Sequence, residues 1–213
     1  PWNPVTEVSF GELFTDPAPS FDRRAIREAV VNAFGHRDYS MLGRVRVLID
    51  DAGFAITNPG GFVEGITVRN LLTAEPGGRN PCLMDALKRV GLAERTGRGI
   101  DRIYQGSLSY GRPLPDYSES NSRQVRLFIA RSKPDESFVR LIVEERARTG
   151  RQLSLQALLV LDCLKRLRRA STATLEDAID LQPARLRQTL EALTEAGLIE
   201  ASGQGRGRTY LLG

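Results

Sequence analysis

The first strong pattern along the chain is a helical repeat of apolar side chains. The residues that carry it lie three or four positions apart: Ile26, Val30, Ala33 and Phe34. That interval places side chains on one face of an α-helix. Ser20 or Asp22 can serve as its N-cap, and Gly35 would end it. The sequence therefore predicts a helix from Asp22 to about Gly35.

Alternation replaces this repeat in the next segment. In residues 44–50 the apolar Val45, Val47 and Ile49 occupy every second position. A second strand-like run occupies residues 54–58. The two runs are joined by a tight turn at residues 51–53, so they predict a β-hairpin. Residues 1–20 contain four prolines, from which we expect an irregular or partly extended lead-in without a packed element.

The remainder of the first part mixes helices and one more strand. Glycine and proline mark loops within residues 59–81, helical patterns cover residues 83–92 and 100–105, and alternation returns in residues 123–130. The order of elements favours the α+β class, with one sheet covered by helices, and it lacks the strict βαβ repeat of a dinucleotide-binding fold.

The last part of the chain is helical until a short terminal hairpin. Helices are predicted at residues 137–148, 153–169, 175–181 and 183–196, and strands at 198–201 and 209–212 around a glycine-rich loop. Three helices followed by such a hairpin are typical of a winged helix-turn-helix. We therefore predict a first domain at residues 1–133, with its core at about 22–133, a helical linker at 134–150, and a winged-helix domain at 151–213.

Composition supports this division and restricts the class of protein. The 213 residues are 41% hydrophobic and 26% charged, which is the balance of a soluble globular protein of one or two domains. No apolar run is long enough to span a membrane and no leader opens the chain, so we expect a cytoplasmic protein with no membrane partner. Because the chain starts without methionine, we also expect a missing N-terminal domain. Cys82 and Cys163 are interpreted as buried reduced cysteines.

The net charge of +4 is mildly basic, and 27 of the 30 basic residues are arginine. Arginine suits bidentate contacts with phosphate but is also common on ordinary solvated faces. The charge therefore permits nucleic-acid binding without requiring it.

One face of the first predicted helix carries polar residues at four-residue spacing. Glu28, Asn32 and His36 would lie together, pointing away from the apolar face and outward from the core. Such a stripe is often only a solvated surface. A carboxylate and an amide one turn apart can also activate a water and hold hydrated Mg²⁺, which prefers oxygen ligands. His36, the only histidine, could be a catalytic base or a structural residue at the helix end; Arg37 and Asp38 are interpreted as an ion-paired helix terminus.

Three segments resemble a known family. They are residues 28–39 (EAVVNAFGHRDY), 56–61 (ITNPGG) and 96–100 (TGRGI). In this order they resemble the ATPase-like domain of bacterial proteins labelled RecG-like helicases or transcriptional regulators, a divergent member of the GHKL superfamily (gyrase, heat-shock protein 90, histidine kinase, MutL). The resemblance covers about residues 22–113. It implies a GHKL-like α/β sandwich, followed here by a small winged-helix domain.

The resemblance also implies roles for individual residues. Glu28 falls at the position of the glutamate that activates water, and Asn32 at that of the Mg²⁺-binding asparagine. Nucleotide binding would further involve Asn58, Gly60 and Gly61 in a first glycine box and Gly97 and Gly99 in a second, where backbone amides before a helix suit phosphate. Two positions depart from the superfamily: Asn58 replaces its adenine-binding aspartate, and Phe62 replaces a usual glycine. ATP and Mg²⁺ are thus the implied cofactors.

The predicted third helix of the winged-helix domain carries candidate DNA contacts. Its apolar stripe leaves polar residues near the N-terminal half, where a recognition helix meets DNA: Arg185, Arg187, Gln188 and Thr189. Arg206 and Arg208, among the glycines of the terminal hairpin, resemble a wing that follows the DNA backbone. Winged helices also dock proteins, and Glu191 and Glu195 reduce the basic character of this face.

These observations leave three functional hypotheses. The first is a DNA-binding transcriptional regulator whose nucleotide-binding domain senses ATP, with double-stranded DNA and adenine nucleotide as partners. The second is an ATP-hydrolysing enzyme, a weak ATPase of the group labelled ATP-dependent DNA helicases, although the chain contains no Gly-x-x-x-x-Gly-Lys-Ser/Thr phosphate loop. The third is a scaffold that has lost its ligand and serves packing or formation of a homodimer.

Overall fold

The computed structural model of the protein describes residues 2–10, 14–75, 77–93 and 98–213. The chain is a mixed α and β protein that divides into two compact units, residues 1–136 and 137–213. The elements of the first unit are β1 (Val5–Phe10), β2 (Phe14–Pro19), α1 (Arg23–Gly35), β3 (Arg46–Ile49), β4 (Gly53–Pro59), a 3₁₀ turn (Val68–Asn70), α2 (Pro81–Arg89), α3 (Gly99–Leu108) and β5 (Gln124–Ala130).

The N-terminal segment is a two-stranded antiparallel ribbon: its extended backbone was among the predicted alternatives, but the expectation that it contains no packed element is wrong. Strands β1 and β2 pair with Val5 opposite Pro19 and Glu7 opposite Pro17. Prolines are tolerated here because each strand of a two-stranded ribbon has one side that needs no ladder hydrogen bond. Val8 and Ala18 are each 1% exposed and attach the ribbon to the core.

The central sheet of the first unit is antiparallel, in the order β3-β4-β5. The predicted hairpin is confirmed as β3 and β4, with Arg46 opposite Thr57 and Ile49 opposite Phe54. Strand β4 is the buried central strand, whereas every residue of β3 is exposed. Val47 and Ile49, on the apolar face of the predicted strand, thus reach solvent.

Helix α1 begins where the sequence predicts, because the Asp22 side chain accepts a hydrogen bond from the Ala25 amide at 2.8 Å. It packs against α3 and against β4. A glycine makes the helix contact close: a Cβ added to Gly106 would lie 2.7 Å from the Cβ of Ala25. The start of α3, at Gly99, therefore lies beside the later turns of α1, because the two helices run antiparallel. Phe34, predicted to be apolar core, is instead 45% exposed.

The second unit combines four helices with a small antiparallel sheet in the order β6-β8-β7. Its elements are α4 (Glu136–Thr149), α5 (Leu155–Leu167), β6 (Ala170–Ser171), α6 (Thr172–Ala178), α7 (Pro183–Glu195), β7 (Ile199–Ser202), a 3₁₀ turn (Gly205–Gly207) and β8 (Thr209–Leu212). The core consists mainly of leucines from α5, α6 and α7, among them Leu161, Leu164, Leu175, Leu186 and Leu190.

Two boundaries differ from those expected. Helix α6 starts three residues earlier than predicted, because the Ser171 hydroxyl accepts from the Thr174 amide and so caps the helix. Helix α4, expected as a linker, groups with the second unit. Its Glu145 is 8% exposed and accepts two hydrogen bonds from Arg148, which also donates to the carbonyl of Ala196.

The cysteines also differ from the expectation in one case. Both are free thiols, but only Cys163 is buried, while Cys82 is exposed on α2. Burial raises the pKa of the Cys163 thiol.

Candidate functional site

A cavity of about 440 Å³ lies in the first unit. This volume falls within the roughly 300–1,000 Å³ common for small-molecule pockets. Its wall brings together side chains and backbone from α1, the end of β4 and the start of α3, including five residues selected from the sequence: Glu28, Asn32, Asn58, Gly61 and Gly99.

Helix α1 presents its polar stripe to this cavity. Glu28 is only 1% exposed, and Asn32 and His36, one and two turns further on, line the same wall. The Arg27 guanidinium lies 3.5 Å from Glu28 Oε1. The expectation that the stripe points outward from the core is therefore wrong: the stripe faces an internal cavity, while residues such as Ala25 and Ala29 pack beside it.

The start of α3 closes in on the same two side chains. A Cβ added to Gly99 would lie 3.1 Å from Glu28 Oε2 and 3.3 Å from Asn32 Nδ2. The space between the α3 backbone and α1 therefore has little room for a side chain. The unpaired amides of a first helical turn, together with the helix dipole, favour a negatively charged ligand at this place.

Asn58 occupies the opposite wall, near the end of β4. It is 4% exposed, and its Nδ2 donates a long hydrogen bond of 3.4 Å to the carbonyl of Pro59. Val125, its partner on β5, also lines the cavity. The Asn58 carboxamide is thus a buried polar group on the cavity wall, beside the apolar Val125.

The glycines expected to approach a nucleotide are placed differently from one another. Gly61 lines the cavity, whereas Gly60 is not among its lining residues. Gly60 has a φ of +93°, and a Cβ there would lie 2.6 Å from the Cβ of Asp38. Its role in the structure is thus to let two loops pack closely, and Gly97 lies outside the described residues.

Two aromatic side chains form a wall that the sequence did not indicate. The rings of Phe62 and Tyr117 lie 6.1 Å apart at an interplanar angle of 52°, and both line the cavity. Burial raises the pKa of the Tyr117 phenol well above its usual range, so the hydroxyl keeps its proton and can only act as a neutral donor or acceptor.

The loop after α1 is held by a residue pair that precedes α2. Asn80 Nδ2 donates to the carbonyls of Gly35 at 3.0 Å and Arg37 at 2.7 Å. Arg79 pairs with the Asp38 carboxylate at 2.7 Å. The interpretation of Arg37 and Asp38 as an ion-paired helix terminus is thus met in part: Asp38 forms an ion pair, and its partner is Arg79.

Arg37 itself has a different set of contacts. Its guanidinium donates to the carbonyls of Met41 and Gly43 and lies 4.5 Å from the centre of the Tyr39 ring. The Asp38–Arg79 pair could not be predicted from local sequence patterns, because the two residues lie 41 positions apart in the chain.

Burial and nearby charge tune two titratable groups of the wall. Desolvation lowers the pKa of His36, and the Arg79 cation lowers it further. Desolvation raises the pKa of Asp101, with Arg98 acting in the opposite direction. A neutral His36 near neutral pH fits a structural position at the helix end better than a charged one.

The oxygen donors of the cavity fit a hydrated magnesium ion only in part. Glu28 and Asn32 supply a carboxylate and an amide one turn apart on α1. Within the described part of the chain, no group of three or more His, Cys, Asp or Glu residues is arranged to hold a metal. Mg²⁺ would therefore need phosphate oxygens and water to complete its six oxygen ligands.

In the second unit, the first half of α7 carries an exposed polar surface. Arg185, Arg187 and Gln188 are exposed, and Arg185 Nη1 donates to Gln188 Oε1 at 3.1 Å. Thr189 does not share this exposure: it is 8% exposed and its hydroxyl donates to the Arg185 carbonyl. Its selection as an exposed DNA contact is corrected, because position 189 lies beside the buried Leu186 and Leu190 on the helix.

The terminal hairpin presents an arginine beside a tight glycine loop. Arg208 is exposed, with its guanidinium 5.4 Å from the centre of the Tyr210 ring. Gly203 has a φ of +83°, and a Cβ there would lie 2.8 Å from the Gly207 carbonyl oxygen. The side chain of Arg206 lies outside the described part of the structure.

Comparisons with known proteins place the first unit near an ATPase-like family. Residues 43–129 match the family described as "Putative ATP-dependent DNA helicase recG C-terminal". The match includes Asn58, Gly61 and Gly99 and does not extend to Glu28 or Asn32. No curated protein matches the sequence significantly.

A solved structure resembles the whole chain. The crystal structure of the DIP2311 protein from Corynebacterium diphtheriae superposes with a TM-score of 0.80 at 26% sequence identity. The alignment covers all of the present chain and 43% of that protein, so the chain spans less than half the length of this structural relative. In the described residues, no helix is both long and apolar enough to cross a membrane.

Proposed function

We propose that the first unit binds an adenine nucleotide in its cavity. The observation that carries this proposal is the meeting of Glu28 and Asn32 on α1 with the glycine start of α3, opposite the buried Asn58. The match of residues 43–129 to an ATPase-like family supports it. The resemblance of residues 28–39 to the GHKL superfamily extends the same interpretation to α1, which the match does not include.

In this proposal, the ends of the nucleotide occupy different parts of the cavity. The phosphates lie near Gly99, where first-turn amides and the α3 dipole favour negative charge. The base lies near Asn58, whose amide oxygen can accept from the adenine amino group. Asn32 would hold Mg²⁺ together with the phosphates, whose charge the ion would neutralise when bound, and the Glu28 carboxylate would act on the attacking water.

Asn58 provides a test of base recognition. Replacing it by aspartate gives a charged acceptor, and hydrogen bonds to charged groups are about twice as strong as neutral ones. Asn58→Asp should therefore bind ATP more tightly and GTP no better, because guanine has a carbonyl where adenine has its amino group. Titration calorimetry with both nucleotides measures this, and equal gains for ATP and GTP would contradict the placement of the base.

Glu28 separates a nucleotide sensor from an enzyme. If its carboxylate activates water, Glu28→Gln should keep ATP binding nearly intact while lowering hydrolysis by roughly 10²- to 10⁴-fold. A phosphate-release assay on wild type and variant decides this. Binding without measurable turnover in the wild type would assign the site to sensing, and an unchanged rate in the variant would exclude Glu28 as the base.

We further propose that the second unit is a winged helix that binds double-stranded DNA. The supporting observation is the exposed group Arg185, Arg187 and Gln188 on the first half of α7, in the same unit as Arg208 on the terminal hairpin. In a helix-turn-helix, this half of the second helix contacts base edges, and a basic hairpin can follow the phosphates. The chain would then be a transcriptional regulator that senses ATP.

The salt dependence of DNA binding tests this second proposal. Replacing both Arg206 and Arg208 by alanine should weaken binding to all sequences and reduce the slope of log K against log salt by about two counterions. Arg140→Ala, on the exposed surface of α4, is the matched control and should leave the slope unchanged. If the wild type shows no salt-sensitive binding at low ionic strength, a protein-docking role for the second unit replaces the DNA role.

A further inference from the structure

The outer edge of β3 is an exposed apolar strand. In the described residues, β3 is the edge of its sheet, and only β4 pairs with it. Val47 is 52% exposed, Leu48 58% and Ile49 37%, so side chains from both faces of the strand reach solvent. Edge strands are commonly protected by charged residues or proline; in β3 the one charge is Arg46 at its start, and the three residues after it, 47–49, are all apolar.

The backbone of β3 offers hydrogen bonds toward this free edge. The Asp50 amide donates to the Gly53 carbonyl at 3.0 Å, which closes the hairpin. Because bonded and non-bonded pairs alternate along an antiparallel ladder, Arg46 and Leu48 direct their amides and carbonyls toward β4. Val45, Val47 and Ile49 then direct theirs away from β4, toward solvent.

The charges at the two ends of the strand are opposite. Arg44 and Arg46 lie at its start, and Asp50 and Asp51 follow its end. An antiparallel copy of the same segment reverses this order, so its acidic end faces the basic end of the first. The segment is therefore self-complementary in charge as well as in hydrogen bonds, which is a requirement of a two-fold symmetric interface.

We propose that two copies of the chain pair through the free edges of β3, with the two-fold axis at Val47. This register places Val47 opposite Val47, Val45 opposite Ile49 and Arg44 opposite Asp50. All outward amides and carbonyls of these residues then find partners, and the two three-stranded sheets join into one of six strands. Directly opposite apolar pairs and opposite charges each stabilise such pairing.

Sedimentation equilibrium on the intact chain tests the interface. The wild type should show a concentration-dependent species of twice the 23.6 kDa chain mass. Val47→Pro removes one outward donor and leaves the β3–β4 ladder intact, since proline is tolerated where the amide faces outward on an edge strand. This variant should be monomeric at concentrations where the wild type is dimeric, with unchanged circular dichroism.

Two further measurements keep the test decisive if Val47→Pro disturbs the fold. Arg44→Glu places like charges opposite each other and should raise the dimer dissociation constant at least tenfold at low salt. Val90→Lys is the control, because Val90 is 68% exposed but lies at the end of α2. In the wild type, hydrogen exchange of the Val47 and Ile49 amides should slow as protein concentration rises.

Three outcomes would overturn the proposal. A wild type that stays monomeric at millimolar concentration excludes the interface. A dimer that Val47→Pro and Arg44→Glu leave unchanged lies on another surface. Protection of Val47 and Ile49 that is independent of concentration would show that the edge is covered within one chain.

Discussion

At the scale of single residues, the cavity depends on a few groups held by contacts from distant parts of the chain. Asn80 fixes the carbonyls of Gly35 and Arg37, and Arg79 holds Asp38. These bonds set the position of His36 at the end of α1, on the cavity wall. The position of the C-terminal end of α1, the helix that also carries Glu28 and Asn32, therefore depends on these contacts.

His36 gives a prediction for the pH dependence of stability. Burial, and secondarily the Arg79 cation, hold the folded-state pKa of His36 below its ordinary value of 6.5, so the unfolded chain binds more protons near and below that pH. The free energy of unfolding should thus be full above about pH 6.5 and fall as the pH drops below it. Thermal melts between pH 7.5 and 5.5 measure this effect.

The control for that prediction is His36→Gln. Since the chain has a single histidine, the variant should lose most of the pH dependence in this window. A wild type whose melting temperature does not fall toward pH 5.5, or a variant that falls just as steeply, would contradict the neutral, buried state of His36.

Gly99 gives a prediction for the phosphate end of the cavity. Gly99→Ala adds a methyl group 3.1 Å from Glu28 Oε2, which must displace that carboxylate or Asn32 by a few tenths of an ångström. We expect ATP affinity to fall by roughly tenfold, about 1.4 kcal/mol, with little change in melting temperature. Gly207→Ala is the control, because Gly207 lies in the second unit and its added methyl group would meet nothing within 4 Å.

The sequence could indicate some of these residues but not their supports. Glu28, Asn32, Asn58, Gly61 and Gly99 could be selected because their types and order resemble a known family, and the structure brings them to one cavity. No comparable sequence signal marks Arg79 and Asn80, or the ring contact of Phe62 with Tyr117. Such contacts join residues far apart in the chain and leave no periodic pattern.

At the scale of elements, the contact between α1 and α3 sets the shape of the cavity. Gly106 allows this contact, since a Cβ there would lie 2.7 Å from Ala25 Cβ and 2.9 Å from Asp22 Cβ. The same face of α1 carries the N-cap at Asp22 and, further along, Glu28. A change in helix spacing would therefore displace the functional side chains as well as reduce stability.

Gly106→Leu tests this relation between packing and function. Overpacking of a close helix contact typically costs about 1–3 kcal/mol, so the free energy of unfolding in urea should fall by that amount and ATP binding should weaken with it. Gly207→Leu, at an exposed position where an added Cβ would meet nothing within 4 Å, should change the free energy of unfolding by less than about 0.5 kcal/mol. Equal stability of the two variants would contradict the close contact.

The elements also show where sequence patterns succeed and fail. Helix α1 and the β3–β4 hairpin could be predicted, because a helix cap and a tight turn are each marked by residues that are neighbours in the sequence. The ribbon of β1 and β2 could not, since proline usually opposes strands and only the free side of a two-stranded ribbon accepts it. The exposure of β3 could not be predicted either, because alternation does not reveal whether a strand lies at the edge of a sheet.

At the scale of the whole molecule, two compact units carry separate candidate activities. The first has a cavity with the donors for a nucleotide, and the second has an exposed arginine-rich helix half. The similarity to the DIP2311 protein covers the whole chain, so the combination of both units is shared with at least that structure. Regulation of DNA binding by ATP would require that the first unit binds ATP.

Magnesium-dependent ATP binding is the central claim, and Asn32 is the residue that tests it most directly. Calorimetric titration of wild type and Asn32→Ala is performed with Mg·ATP and again with ATP in EDTA, after circular dichroism confirms that both are folded. We expect the variant to lose at least tenfold in affinity with Mg²⁺ and to match the wild type without it, because the lost group holds the ion. A wild type that binds no ATP at millimolar concentration, or a variant that equals it under both conditions, would contradict the account.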